Sequence, residues 1–132
     1  MVKIVRGIDI QPLLDAFASF EEAMGQVTSD LTRDGTIQRF EYTFELAWKT
    51  MKRVLRAKGS EVNQPRDVFR EAAADQLIAD PLAWFDFLEK RNKSTHIYKR
   101  AVAEEVFRAM SPFHGAMKDF IGRLENHPDP KQ

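Results

Sequence analysis

Arg91, His96 and Tyr98 are the residues of this chain best equipped for chemistry, and they share the short run Arg91-Asn92-Lys93-Ser94-Thr95-His96-Ile97-Tyr98. Imidazole gives and takes protons near neutral pH, which makes His96 a candidate acid or base. In a continuous helix Arg91 and His96 would sit about 140° apart and face different walls. Asn92, Ser94 and Thr95 favour a break, with Asn92 ending one helix and Ser94 or Thr95 capping the next. That break is expected to place His96 in a first helical turn, where free backbone N–H groups attract phosphate. The same residues also fit an inert histidine near a helix start, hydrogen-bonded to a neighbour. Composition alone favours the inert reading.

Charge is distributed unevenly around this run. The 132 residues carry 20 Lys and Arg against 20 Asp and Glu, a formal net charge of zero. Zero net charge excludes a protein that coats nucleic acid or membrane by bulk charge, but not a locally basic site. From Asp86 to Arg100 there are five basic residues and two acidic ones. A second surplus, Lys49, Lys52, Arg53, Arg56 and Lys58, contains no acidic residue. It fits either a solvated face near a helix C-terminus or an electrostatic funnel for an anionic ligand. Glu45 and Lys49 are spaced as an ordinary i,i+4 pair.

Other chemistries lack their residues. There is no cysteine, which removes disulfides, thiolate metal sites and a thiol nucleophile. The six glycines are too scattered for a phosphate loop or dinucleotide fingerprint. His96, His114 and His127 show no metal-ligand spacing, so no metal is expected. The first residues lack the apolar run of a signal peptide and no stretch could span a bilayer, so a cytoplasmic protein without membrane contact is expected.

The elements that must position these residues read as helices. Leu13, Leu14, Phe17, Phe20, Met24 and Val27 form one apolar stripe. Thr28, Ser29 and Asp30, and then Asp34-Gly35-Thr36, are expected to supply breaker and N-cap chemistry before a second stripe of Ile37, Phe40, Phe44, Ala47, Trp48, Met51 and Leu55, ended by Gly59. Pro65 and Pro81 mark two further helix starts, the first followed by Val68, Phe69, Ala72 and Ala73. Leu82, Phe85 and Leu88 are expected to face inward from the second. A last segment carries Val102, Val106, Met110, Met117, Phe120, Ile121 and Leu124 in phase, with a kink or restart at Ser111-Pro112. The expected fold is all-α, an antiparallel up-and-down bundle of about five helices in one domain spanning residues 1–132. Residues 1–8 and 126–132 are expected to be flexible ends.

The Arg-x4-His-x-Tyr run resembles the signature of HEPN-domain proteins (higher eukaryotes and prokaryotes nucleotide-binding). More closely, it resembles the branch paired with a minimal nucleotidyltransferase, also known as nucleotidyltransferase substrate-binding proteins. The stretches Arg39–Lys49, Pro65–Ala72 and Trp84–Asn92 are similar to the same branch. The resemblance implies a dimerising helical bundle that acts as a ribonuclease toxin of a two-gene toxin–antitoxin module, with RNA as substrate. Arg91 and His96 would then be the catalytic pair. Tyr98 would receive nucleotidyl groups (AMPylation) from the partner nucleotidyltransferase encoded by the neighbouring gene. The toxin would need no cofactor, while the partner transferase would use ATP and Mg. Asn92, Lys93, Ser94, Thr95, Lys99 and Arg100 would support the site or hold flanking phosphates. The alternative is a non-catalytic subunit that presents a substrate to the transferase, with Glu45 and Lys49 serving a pocket or partner contact.

Overall fold

The structure, a computed structural model, describes residues 2–126. His127 and the expected C-terminal tail from 127 lie outside the described residues. Residues 2–8, read from sequence as a flexible end, instead carry a small antiparallel hairpin of β1 (Ile4–Val5) and β2 (Ile8–Asp9). The hairpin turns at Arg6 and Gly7, both with positive φ. Ile10 N–H donates to Lys3 O at 2.8 Å and anchors it to the bundle.

The rest is helical, as expected. Among the described residues there are six α-helices: α1 (Gln11–Met24), α2 (Asp30–Ala57), α3 (Pro65–Ala74), α4 (Pro81–Lys93), α5 (Arg100–Arg108) and α6 (Met110–Asn126). A 3₁₀ turn, Ser94–His96, separates α4 from α5. Ser19 meets Arg39 and Tyr42 across α1 and α2, while Phe44 meets Trp84 and Glu41 meets Arg91 across α2 and α4. The α2–α4 contact is therefore antiparallel.

Two expected breaks fall elsewhere. The chain does not break at Gly35; α2 runs straight through it. Its start lies at Ser29, whose hydroxyl accepts from Thr32 N–H while the Thr32 side chain reaches back to Ser29 N–H. That reciprocal cap, and an Arg39 Nη1 donation to Gly35 O at 2.9 Å, offset the roughly 1 kcal/mol that an interior glycine costs. At the other end Gly59 adopts φ +97°, and Gly59 and Ser60 N–H return to Arg56 O and Leu55 O. The C-terminal segment divides at Ala109, just ahead of Ser111-Pro112. Pro112 thus sits in the first turn of α6, where its missing N–H leaves no bond unmade.

The core is aromatic. Trp84 packs with Phe44, Phe69, Phe87, Phe113 and Phe120 at centroid distances of 5.4–6.1 Å. Phe113 also lies 4.8 Å from Phe40 and 5.4 Å from Phe20. The stripes on α1, α2, α3 and α6 are buried largely as their spacing requires. Helix α4 is the exception. It turns Trp84 and Phe87 inward and leaves Leu82 exposed, with Phe85 and Leu88 only partly covered. The indole is the largest side chain on α4, so burying it against the surrounding phenyl rings outweighs burying Leu82.

Candidate functional site

Helix α4 continues to Lys93, one residue beyond the expected stop at Asn92, and gives way to the 3₁₀ turn. Ser94 does not cap a following helix. It is buried, and its hydroxyl lies 2.5 Å from Glu41 Oε2 and 2.6 Å from Arg91 O. One hydroxyl hydrogen serves one of these acceptors at a time. The Thr95 hydroxyl likewise turns back, to Asn92 O at 3.3 Å. Both side chains satisfy the carbonyls at the end of α4, so the next helix starts only at Arg100. His96 therefore lies at the end of the 3₁₀ turn, not in a first helical turn. No helix N-terminus forms at His96.

His96 and Tyr98 are exposed and joined, with His96 Nδ1 3.1 Å from the Tyr98 hydroxyl and the rings edge to face at 5.7 Å. Tyr98 is 75% exposed. Lys99 Nζ sits 6.0 Å from the Tyr98 ring centroid.

Arg91 is held from beneath. Its Nη1 lies 3.3 Å from Glu41 Oε2, and its buried Nε lies 3.6 Å from Glu45 Oε1, close enough for charge attraction but too far for a hydrogen bond. Glu45 also accepts from Trp48 Nε1 at 3.2 Å and lies 3.8 Å from Lys49 Nζ. The sequence motifs do not single out Glu41, although it stands one helical turn before Glu45 on the same face. Among the described residues no hydrogen bond or ion pair links Arg91 to His96.

The flanking cations have separate partners. Lys93 donates to Glu105 at 2.7 Å and lies 3.1 Å from Glu89, while Lys90 lies 3.6 Å from Glu105 and 2.9 Å from Asp86. The hydrogen bond from Lys93 holds the Glu105 carboxyl below its ordinary pKa, and the bonds to Glu105 and Glu89 raise Lys93. Burial opposes the rise at Lys90, but its contacts with Asp86, Glu89 and Glu105 prevail. Arg100 reaches Asp30 at the start of α2 at 3.2 Å. Lys93 and Arg100 thus fasten α5 to α4 and α2. Asn92 is exposed.

Cavities of about 630 and 350 Å³ lie beside the α2–α3 connection, the first lined by Asn63, Asp67 and Arg70 and the second by Lys58, Glu71 and Asp75, and neither includes a residue of the 91–98 run. A cavity of about 280 Å³ between α1 and α2, lined by Ser19, Gln26, Leu31, Thr32 and Arg39, includes no residue of the 91–98 run. Among the described residues no cluster of acidic residues or histidines could hold a metal ion, and no helix is long and apolar enough to cross a membrane.

A family model for nucleotidyltransferase substrate binding protein-like proteins matches residues 8–126. The chain belongs to that family. It is also similar to a Haemophilus influenzae protein named Probable ribonuclease HepT, at 28% identity in a 123-residue alignment that covers 80% of this chain and 84% of the relative. A crystal structure from Thermus thermophilus superposes with a TM-score of 0.79 at 33% identity, covering 85% of this chain and 98% of that one. Another solved structure, from Haemophilus influenzae, has a TM-score of 0.76 at 26% identity, covering 87% of this chain and 98% of that one, and is described as revealing the fold of a substrate binding domain of a nucleotidyltransferase. The substrate-binding-protein-like family is thus related by name and by structure to a nucleotidyltransferase.

Proposed function

We propose that the chain is a HEPN-type ribonuclease toxin, cytoplasmic and active as a homodimer, whose Arg91 and His96 cleave RNA without metal. The observation that carries this reading is the His96–Tyr98 hydrogen bond, set on an exposed turn immediately after the buried anchor of Arg91. RNA cleavage needs a base to take the 2′-hydroxyl proton as that oxygen bonds to phosphorus. An acid must protonate the 5′-oxygen as its bond to phosphorus breaks, leaving a 2′,3′-cyclic phosphate. A cation must steady the charged phosphorus between them, which is the role of Arg91.

The Tyr98 hydroxyl can either donate to Nδ1 or accept from it. When Tyr98 accepts from Nδ1–H of the neutral ring, Nε2 is bare and serves as a base. Once Nε2 takes a proton, the imidazolium, still donating from Nδ1 to Tyr98, serves as an acid. One chain supplies one such histidine, and a two-fold dimer would supply the complementary pair.

Tyr98 also offers the means of neutralisation. Attack of its oxygen on the α-phosphorus of ATP, held with Mg by the partner nucleotidyltransferase, would release pyrophosphate and leave AMP on the ring. The modified oxygen could no longer donate to His96, and its phosphate would repel RNA. The test is purified dimer incubated with RNA in chelator. Cleavage is expected, with loss in His96→Ala. No cleavage by the wild-type chain in the absence of the transferase overturns the reading.

The family description and the second solved relative favour an alternative, a non-catalytic subunit that presents a substrate to the transferase. Nucleotide transfer to a small molecule only when this chain is present, with no RNA cleavage, would select it.

A further inference from the structure

Helix α2 carries a line of contacts away from Arg91. Glu45 lies 3.6 Å from Arg91 Nε; Lys49 Nζ lies 3.8 Å from Glu45, and Lys52 Nζ sits 5.9 Å from the ring centroid of Trp48, the residue that donates to Glu45. Lys49, Arg53 and Arg56 are exposed and Lys52 is half-buried. Positions 45, 49, 52 and 56 fall on one face of the helix. Lys52, Arg53 and Arg56 have no carboxylate within ion-pair distance among the described residues, whereas Lys90, Lys93 and Arg100 are each committed to one. Interaction with the helix dipole does not account for the stripe. That effect is confined to the last turn, which contains Arg56 alone of these residues. The other side of the site is already oriented, because Arg100 meets Asp30 at the opposite end of α2.

We propose that the α2 face bearing Lys49, Lys52, Arg53 and Arg56 binds the phosphates of single-stranded RNA on one side of the scissile bond and guides the strand to Arg91. This rests on the ribonuclease reading and names where the substrate lies. From Lys49 to Arg56 the helix rises about 10 Å, the length of roughly three stacked nucleotides. The half-buried indole of Trp48, packed against the core and with Lys52 over its ring, stands at the site end of the stripe. Lysine and arginine on a helix face hold phosphates without reading sequence, so the stripe would confer strand preference and not base preference.

The experiment measures binding of a short fluorescent single-stranded RNA to the full-length His96→Ala protein between about 50 and 200 mM salt. It compares this protein with one also carrying Lys49→Gln, Lys52→Gln, Arg53→Gln and Arg56→Gln. A control combines Arg108→Gln and Lys118→Gln, two exposed cations away from α2. The stripe variant is expected to bind at least tenfold more weakly, with the log–log salt slope shallower by about 0.7 for each phosphate that it no longer neutralises. The control should bind as its parent does. In the chain that keeps His96, the stripe changes should raise KM for RNA more than they lower kcat. Unchanged affinity and slope overturn the proposal, as does loss of transferase binding with RNA binding intact. RNA neither bound nor cleaved by the otherwise unaltered chain would instead overturn the ribonuclease reading itself.

Discussion

The Glu41 carboxylate, 50 residues upstream of Arg91, lies 3.3 Å from its guanidinium and 2.5 Å from the hydroxyl of Ser94, tying both ends of the last turn of α4 to the middle of α2. Glu41→Gln keeps the shape but gives up the charge that holds Arg91. Stability is expected to fall by about 1–3 kcal/mol in urea unfolding, the cost of weakening a partly buried charge-assisted bond. RNA cleavage should fall by about 10–100-fold, because an unheld guanidinium moves away from the phosphorus. An equal loss of stability with undiminished cleavage would reduce Glu41 to a structural role.

Tyr98→Phe removes one exposed hydroxyl and its bond to His96. Stability should change by less than about 0.5 kcal/mol. After incubation with the transferase and ATP, intact-mass measurement is expected to show nucleotidyl groups on the wild-type chain and none on the variant. The same added mass on both would move the acceptor elsewhere.

The α4–α5 clamp should respond to pH at both extremes. Glu105 is lowered from 4.5, so its contribution is present above that value and is lost as pH falls through the lower folded value. Lys93 is raised from 10.5, so its contribution is present below that value and is lost as pH rises through the higher folded value. The Tm difference between wild type and Glu105→Gln is therefore expected to be largest from about pH 5 to 10 and to close in acid. A difference that persists undiminished into acid would assign the effect to packing.

Phe113 touches Phe20, Phe40, Trp84 and Phe87, and so joins α1, α2, α4 and α6. Phe113→Ala is expected to cost about 3–5 kcal/mol, a large share of the roughly 5–15 kcal/mol that holds a typical domain folded. Denaturant titration measures it.

Period and punctuation made most of the helices legible: Pro65, Pro81 and Gly59 mark their ends where the sequence places them. The run 91–98 could be read from residue types alone. What stayed hidden depends on contacts distant in sequence. Nothing near Ser94 indicates that its hydroxyl is drawn inward to Glu41, and that contact is why α5 starts four residues after His96 instead of enclosing it. Gly35 signalled a break that a cap six residues earlier overrides. Phe113 keeps the phase of the last stripe, three residues after Met110 and four before Met117, and only the restart expected at Ser111-Pro112 leaves it off that stripe.

The unbroken course of α2 from Asp30 to Ala57 also makes it a ruler with an angular scale. Asp30, Glu41, Glu45 and the basic stripe read out along it, and each residue advances the face by about 100°. One residue inserted between Glu45 and Lys49 would swing the stripe a quarter-turn or more out of line with Arg91. The same residue inserted after Gly59, in the connection to α3, would leave the alignment intact. Length variation among relatives should therefore collect in the connections and spare the interior of this helix.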